Sequence, residues 1–180
     1  PLVSGSLLLT SGSITTSKME VVVYGTICPE GGERESAYKL LSLALRRELG
    51  IDTLPEIERE PGGKPFFPEH RDLHFNISHS HGAAVCALHD SPVGIDVERV
   101  RRAPPRLSQG QDDTAFFRSW TAKEATIKRA GLGVGALLKP VEIVPECRTL
   151  EEFLPGWIVT VCPSECDEIR MMTVDAAELT

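Results

Sequence analysis

Apolar residues recur along the chain in two rhythms. From Glu20 to Ile27 they form a nearly continuous β-branched run, which predicts a buried strand. Pro29-Glu30-Gly31-Gly32 ends it. From Glu33 to Leu49 the spacing becomes helical: Ala37, Leu40, Leu41, Ala44, Leu45 and Leu49 share a face, and Gly50 marks the stop. A short strand is expected over Ile57–Glu60. Phe75 and Ile77 then alternate with polar residues up to the cluster Ser78-His79-Ser80-His81-Gly82. Ala83–Leu88 returns as an apolar strand, antiparallel to the Phe75–Ile77 strand before it.

The order of elements then recurs, although the sequence itself shows no repeat. In Val93-Gly94-Ile95-Asp96-Val97-Glu98, the valines and isoleucine take one face of a strand and the two carboxylates the other. Arg99 to Asp113, with Pro104-Pro105, reads as an exposed loop. Asp113 or Thr114 is expected to cap a helix over Ala115–Ala130, which Gly131-Leu132-Gly133 ends. Val141–Val144, Gly156–Val161 and Ile169–Val174 are expected as strands. The fold expected is therefore α+β, with two similar halves in one chain, each a small antiparallel sheet packed with a long helix. Residues 19–90 and 91–180 are expected as the halves, and 1–18 as an extension ahead of a start at Met19.

Composition narrows the function. At 180 residues the chain has room for a sizeable core. A net charge of −7 argues against a nucleic-acid or anionic-membrane surface, so a basic patch must be local. The five cysteines (Cys28, Cys86, Cys147, Cys162, Cys166) are odd in number and form no C-x-x-C pair, which fits free thiols in a reducing cytoplasm. No run reaches the roughly 18 apolar residues of a membrane span.

Candidate chemistry lies at the ends of these elements. Asp96 and Glu98 project about 7 Å apart from one strand face. Two such carboxylates repel unless a cation lies between them, and a hard divalent ion such as Mg²⁺ suits them; a solvated strand face is the plain alternative. On a helix, Trp120, Glu124 and Lys128 form one stripe, with Lys123 and Ile127 beside it. Ser78 and His79 offer two phosphate-binding groups, or a hairpin that satisfies its own backbone. Gly62 and Gly63 next to Lys64-Pro65 allow a ligand close to the backbone, although no Walker A pattern is present. Lys39 and Arg46 lie on the outer face of the first helix, as solvated charges or as phosphate contacts.

Taken together, four stretches resemble the 4′-phosphopantetheinyl transferases of the Sfp type, from about Met19 to the C-terminus. They are Gly63-Lys64-Pro65, Phe75-Asn76-Ile77-Ser78-His79-Ser80, Val93–Glu98 and Trp120-Thr121-Ala122-Lys123-Glu124-Ala125-Thr126-Ile127-Lys128, in the family's order. The resemblance implies a pseudo-twofold fold and Mg²⁺-dependent transfer of the phosphopantetheine arm of coenzyme A to a serine of an apo acyl or peptidyl carrier protein. Adenosine 3′,5′-bisphosphate is released. It implies that Asp96, Glu98 and Glu124 hold the metal, with Glu124, Lys128 and Lys123 catalytic. Lys64, Pro65, Ser78, His79, Lys128 and Lys39 would contact coenzyme A. A monomer is expected, rather than the trimer built from shorter chains. Two competitors remain: a non-catalytic coenzyme A-binding module of the same fold, and a metallohydrolase built on His74, His79, His81 and His89.

Overall fold

The computed structural model describes residues 20–164 and 168–179. The extension expected at 1–18 and Cys166 lie outside the described residues. In chain order the elements are β1 (Val21–Ile27), α1 (Glu33–Leu49), β2 (Glu58–Arg59), β3 (Pro65–Phe66), β4 (His74–Ser80) and β5 (Ala83–His89). They continue with β6 (Gly94–Arg99), α2 (Pro105–Ser108), α3 (Asp113–Ala130), β7 (Arg148–Thr149), β8 (Trp157–Cys162) and β9 (Ile169–Thr173). Short 3₁₀ turns cover Val134–Leu138 and Ala176–Glu178.

The described strands form a sheet of order β4-β5-β1-β9, a second of order β6-β8-β7 and the small β2–β3 pair. The alternation in β1 and β5 gives the first sheet two apolar faces. Tyr24, Cys86 and Leu88 pack beneath the Leu40, Leu41, Ala44 and Leu45 stripe of α1. On the other face, Val21, Val23, Val85 and Ala87 meet Ile95, Val97, Val159 and Val161 of the second sheet. Helix α3 lies over β6 and β8. The layers thus run α1, first sheet, second sheet, α3.

Both long helices end as the glycines predicted: Gly50 and Gly131 adopt positive φ (68° and 67°) and return their N–H groups to the last turn. The cap of α3 is Asp112, whose side chain accepts from Ala115 N, rather than the expected Asp113 or Thr114. Asp113 instead accepts from Ala103 N at 2.8 Å and ties the preceding loop to the helix. His81 and Gly82, at φ of 46° and 86°, make the two-residue turn between β4 and β5.

Two expectations fail beyond the second helix. Val141–Val144 is irregular, because Pro140 and Pro145 bracket it and deprive a ladder of donors. The last strand, β9, joins the first sheet in parallel with β1, from Val21↔Ile169 to Gly25↔Thr173. The first sheet is therefore mixed rather than purely antiparallel. Polar contacts hold that edge: Arg170 reaches Glu48 at 2.5 Å and Glu20 at 3.0 Å, and Tyr24 Oη donates to Glu48 at 2.7 Å. No helix among the described residues is long and apolar enough to cross a membrane.

Candidate functional site at the junction of β4, β6 and α3

The two sheets meet where β4 runs beside β6, and three side chains join them there. Asn76 Oδ1 accepts from Ile95 N at 2.9 Å; Ser78 Oγ donates to Asp96 Oδ1 and Ser80 Oγ to Glu98 Oε2, each at 2.8 Å. Strand alternation explains the set, since 76, 78 and 80 share one face of β4, while Phe75 and Ile77 take the other. On β6, Asp96 and Glu98 turn away from the core that Ile95 and Val97 enter, and so towards α3.

Helix α3 reaches this seam because Gly94 has no side chain. A Cβ there would collide with the Ala125 carbonyl and the Arg129 N–H. The close approach delivers Glu124 and Lys128, one turn apart, to Asp96. Lys128 Nζ donates to Asp96 Oδ1 at 2.5 Å and Ser78 Oγ at 2.9 Å, and lies 3.8 Å from Glu124 Oε2. Trp120 takes no part; it stacks on Phe116 at 5.9 Å, as a packing anchor.

The charges are under strain. Asp96 is 2% exposed, and burial pushes its carboxyl above the usual carboxylate range, with Lys128 pulling the other way. Its Oδ2 is buried and has no hydrogen-bond partner among the described residues. Burial first, and then the neighbouring Asp96 charge, push Glu124 up to about 7. Glu98 is better satisfied, since Arg101 reaches its Oε2 at 2.7 Å.

These groups form the foot of a cleft of about 660 Å³. Arg34 and Tyr38 of α1, Arg59, Lys64 and His79 line its other parts. The loop carrying Lys64 is seated against the end of α3, because Gly62 lies so close to Gly131 that a Cβ would overlap its carbonyl. Lys64 Nζ donates to the Arg129 carbonyl at 2.6 Å, and burial lowers its pKa. Carboxylates at the foot and cations around the walls suit a phosphorylated ligand that shares a cation with the acidic group.

Of the residues singled out in the sequence, Lys64, Pro65, Ser78, His79, Asp96, Glu98, Glu124 and Lys128 all line this cleft. Lys123 and Lys39 do not. Lys123 Nζ is held at 2.6 Å by the Leu137 carbonyl, and exposed Lys39 pairs with Glu35 one turn away at 2.9 Å. Arg34, Tyr38 and Arg59 line the cleft without having been predicted. No one-dimensional signal separates Arg34 from the other charges on α1. Ser80 was legible in principle: its period-two relation to Ser78 pairs it with Glu98 as Ser78 pairs with Asp96.

Asp96, Glu98 and Glu124 supply the oxygen-only donors that a hard divalent ion prefers, and the orphaned Asp96 Oδ2 is a natural ligand for one. As they stand, no three carboxylate, imidazole or thiol groups among the described residues are gathered closely enough to enclose a metal. Lys128 covers Asp96 Oδ1, and Ser80 and Arg101 cover Glu98 Oε2. The histidines are no alternative centre: His74 and His89 pair at one end of the β4–β5 hairpin, and His79 and His81 lie at the other.

The architecture is α+β, and its cleft sets carboxylates at the foot against cations on the walls. Comparison with known proteins narrows the class. The chain is 36% identical over 88 residues to a 4′-phosphopantetheinyl transferase of Bacillus subtilis, covering 40% of this chain and 39% of that protein. It is 33% identical over 88 residues to the transferase Sfp of B. subtilis strain 168, covering 40% of this chain and 39% of the relative. The transferase HetI of Nostoc matches over a longer stretch, at 34% identity over 139 residues, 64% of this chain and 58% of the relative. The resemblance to 4′-phosphopantetheinyl transferases, Sfp-type enzymes included, thus holds at modest identity over part of the chain. The matched segment spans only about two fifths of the Bacillus relatives. No family model matches the chain.

Proposed function

We propose that the protein transfers the 4′-phosphopantetheine arm of coenzyme A to a serine of an apo acyl or peptidyl carrier protein. One observation carries the reading: the partnerless oxygen of buried Asp96, beside Glu124 and Lys128, at the foot of a cleft with cationic walls. The named activity of the relatives supports it.

In this reading the pyrophosphate of coenzyme A lies over Asp96, Glu98 and Glu124, with the nucleotide towards Lys64-Pro65 and His79. Mg²⁺ bound by the three carboxylates would neutralise the pyrophosphate and polarise its phosphorus–oxygen bonds. The carrier serine oxygen attacks the phosphorus that bears the pantetheine arm. Glu124, the carboxylate delivered by α3, accepts the serine proton directly or through a water. The bond to the adenosine phosphate breaks, and the Lys128 ammonium stabilises the oxygen that leaves with it. Lys128 donates to Asp96 Oδ1 and Ser78 Oγ, and a cation held by Asp96 would compete with it for that carboxylate. Lys123, tied to the Leu137 carbonyl, leaves this role to Lys128.

The test is intact-mass analysis of apo carrier proteins incubated with coenzyme A, Mg²⁺ and this protein. A gain equal to phosphopantetheine, abolished by chelator, is the expected result. Tight coenzyme A binding with no gain on any carrier would overturn transfer in favour of a binding module.

A further inference from the structure

Beneath α3, away from the cleft, two thiols face each other. Strand β7 pairs antiparallel with β8 through Arg148↔Val161 and Thr149↔Thr160. One step further along that register, Cys147 stands opposite Cys162. Directly opposed residues of an antiparallel pair have Cβ atoms about 4.5–5.5 Å apart, and their Cα spacing overlaps that of disulfides. The side chains converge on one group: Thr126 Oγ1 lies 3.3 Å from Cys147 Sγ and 3.8 Å from Cys162 Sγ. Thr126 is two residues from both Glu124 and Lys128, about 200° round the helix, so this cluster is separate from the cleft.

From this juxtaposition we infer that Cys147 and Cys162 form a reversible, peroxide-sensitive dithiol that closes to a disulfide. The two cysteines have unequal parts. Cys162 is fully buried, whereas Cys147 is partly accessible. The hydrogen bond from Cys162 lowers the Cys147 thiol to about 7, and the Arg129 guanidinium also favours its thiolate. Glu146 opposes this charge but is itself paired with Arg129 at 3.7 Å. Cys162, the donor, is held in the thiol form.

The chemistry closes with hydrogen peroxide alone. The Cys147 thiolate attacks one peroxide oxygen, the O–O bond breaks, and a sulfenic acid and hydroxide form. Cys162 sulfur then attacks Cys147 sulfur and expels the sulfenic oxygen, which leaves as water with the Cys162 proton. Both sulfurs are oxidised and both peroxide oxygens reduced: one leaves as hydroxide, which takes up the proton that Cys147 released on ionising, and the other as water. A disulfide here staples the loop entering β7 to β8 directly under α3.

The experiment treats the full chain with hydrogen peroxide at neutral pH, blocks remaining thiols with N-ethylmaleimide and maps peptides without reduction. A Cys147–Cys162 peptide pair lighter by two hydrogens, restored by dithiothreitol, is expected. Cys147→Ser abolishes it with an unchanged circular dichroism spectrum. Alkylation of Cys147 by iodoacetamide should be half-maximal near pH about 7 and shift upward in Cys162→Ala. Stable sulfinic acid at Cys147 without a cross-link, or a cross-link that avoids this pair, would overturn the inference.

Discussion

Lys128 Nζ lies 2.5 Å from Asp96 Oδ1, while the second oxygen of the same carboxylate has no hydrogen-bond partner among the described residues. Lysine supplies one positive charge to a buried acidic group that also includes Glu124. The group is therefore under-neutralised, and its protonation must answer to pH and to added cations.

The pH response has a defined sign. Glu124 titrates near its ordinary 4.5 in the unfolded chain and near about 7 in the folded one. Between those values the folded state holds a proton that the unfolded state has released, so stability falls as pH rises through this window. Denaturant melts at intervals from pH 4 to 8 should show the decline, and Glu124→Gln should flatten it. An equal slope in the variant would remove Glu124 as its source.

Divalent cations should reverse the penalty. With the carboxylates ionised near pH 8, Mg²⁺ binds only the folded state and raises the melting temperature with its concentration. In Asp96→Asn this rise is lost, and transfer falls by about a hundredfold or more. An undiminished Mg²⁺ shift in that variant would exclude Asp96 as a ligand.

Lys128→Met leaves Asp96 with no cation close by. Breaking a buried pair by removing one partner costs about 3–5 kcal/mol, less whatever Asp96 recovers by taking up a proton. The loss should be large at pH 8 and smaller at pH 5, where the proton is cheap. A pH-independent loss would point to packing instead of charge.

Placement separates two basic residues of one helix. Arg34 lines the cleft and Lys39 does not. Arg34→Ala should weaken coenzyme A binding by about tenfold or more, consistent with one charge-assisted hydrogen bond of about 1.5–3 kcal/mol. Lys39→Ala should leave the titration curve in place. Isothermal calorimetry distinguishes these outcomes, and the reverse ranking would reject the binding pose.

Gly94→Ala tests how α3 is positioned. The added methyl meets helix backbone that cannot rotate away. Overpacking of this kind typically costs about 1–3 kcal/mol, and here it also pushes Glu124 and Lys128 from Asp96. Thermal melts should show the destabilisation, and transfer should fall further than stability alone explains. A variant with wild-type melting and activity would show that the contact is loose.

The sequence by itself determined the two long helices, most of the longer strands and which side chains share a face at the candidate site. Period two in Val93–Glu98 separates Ile95 and Val97 from Asp96 and Glu98, and period 3.6 in α3 puts Glu124 and Lys128 on one stripe. Both patterns are local consequences of backbone geometry, and both helices stop at the glycines that mark them. Tertiary structure decided what meets what. Asp96 finds Lys128 because Gly94 admits α3, and Ser80 finds Glu98 because β4 lies along β6. Lys39 and Arg34 look alike in one dimension; only the turn of α1 over the first sheet puts Arg34 at the cleft and leaves Lys39 with Glu35. The pairing of β9 with β1, and the facing of Cys147 and Cys162, depend on contacts between residues far apart in the chain. Chain pattern specifies which face is buried, but the partner of that face is fixed only when the layers pack.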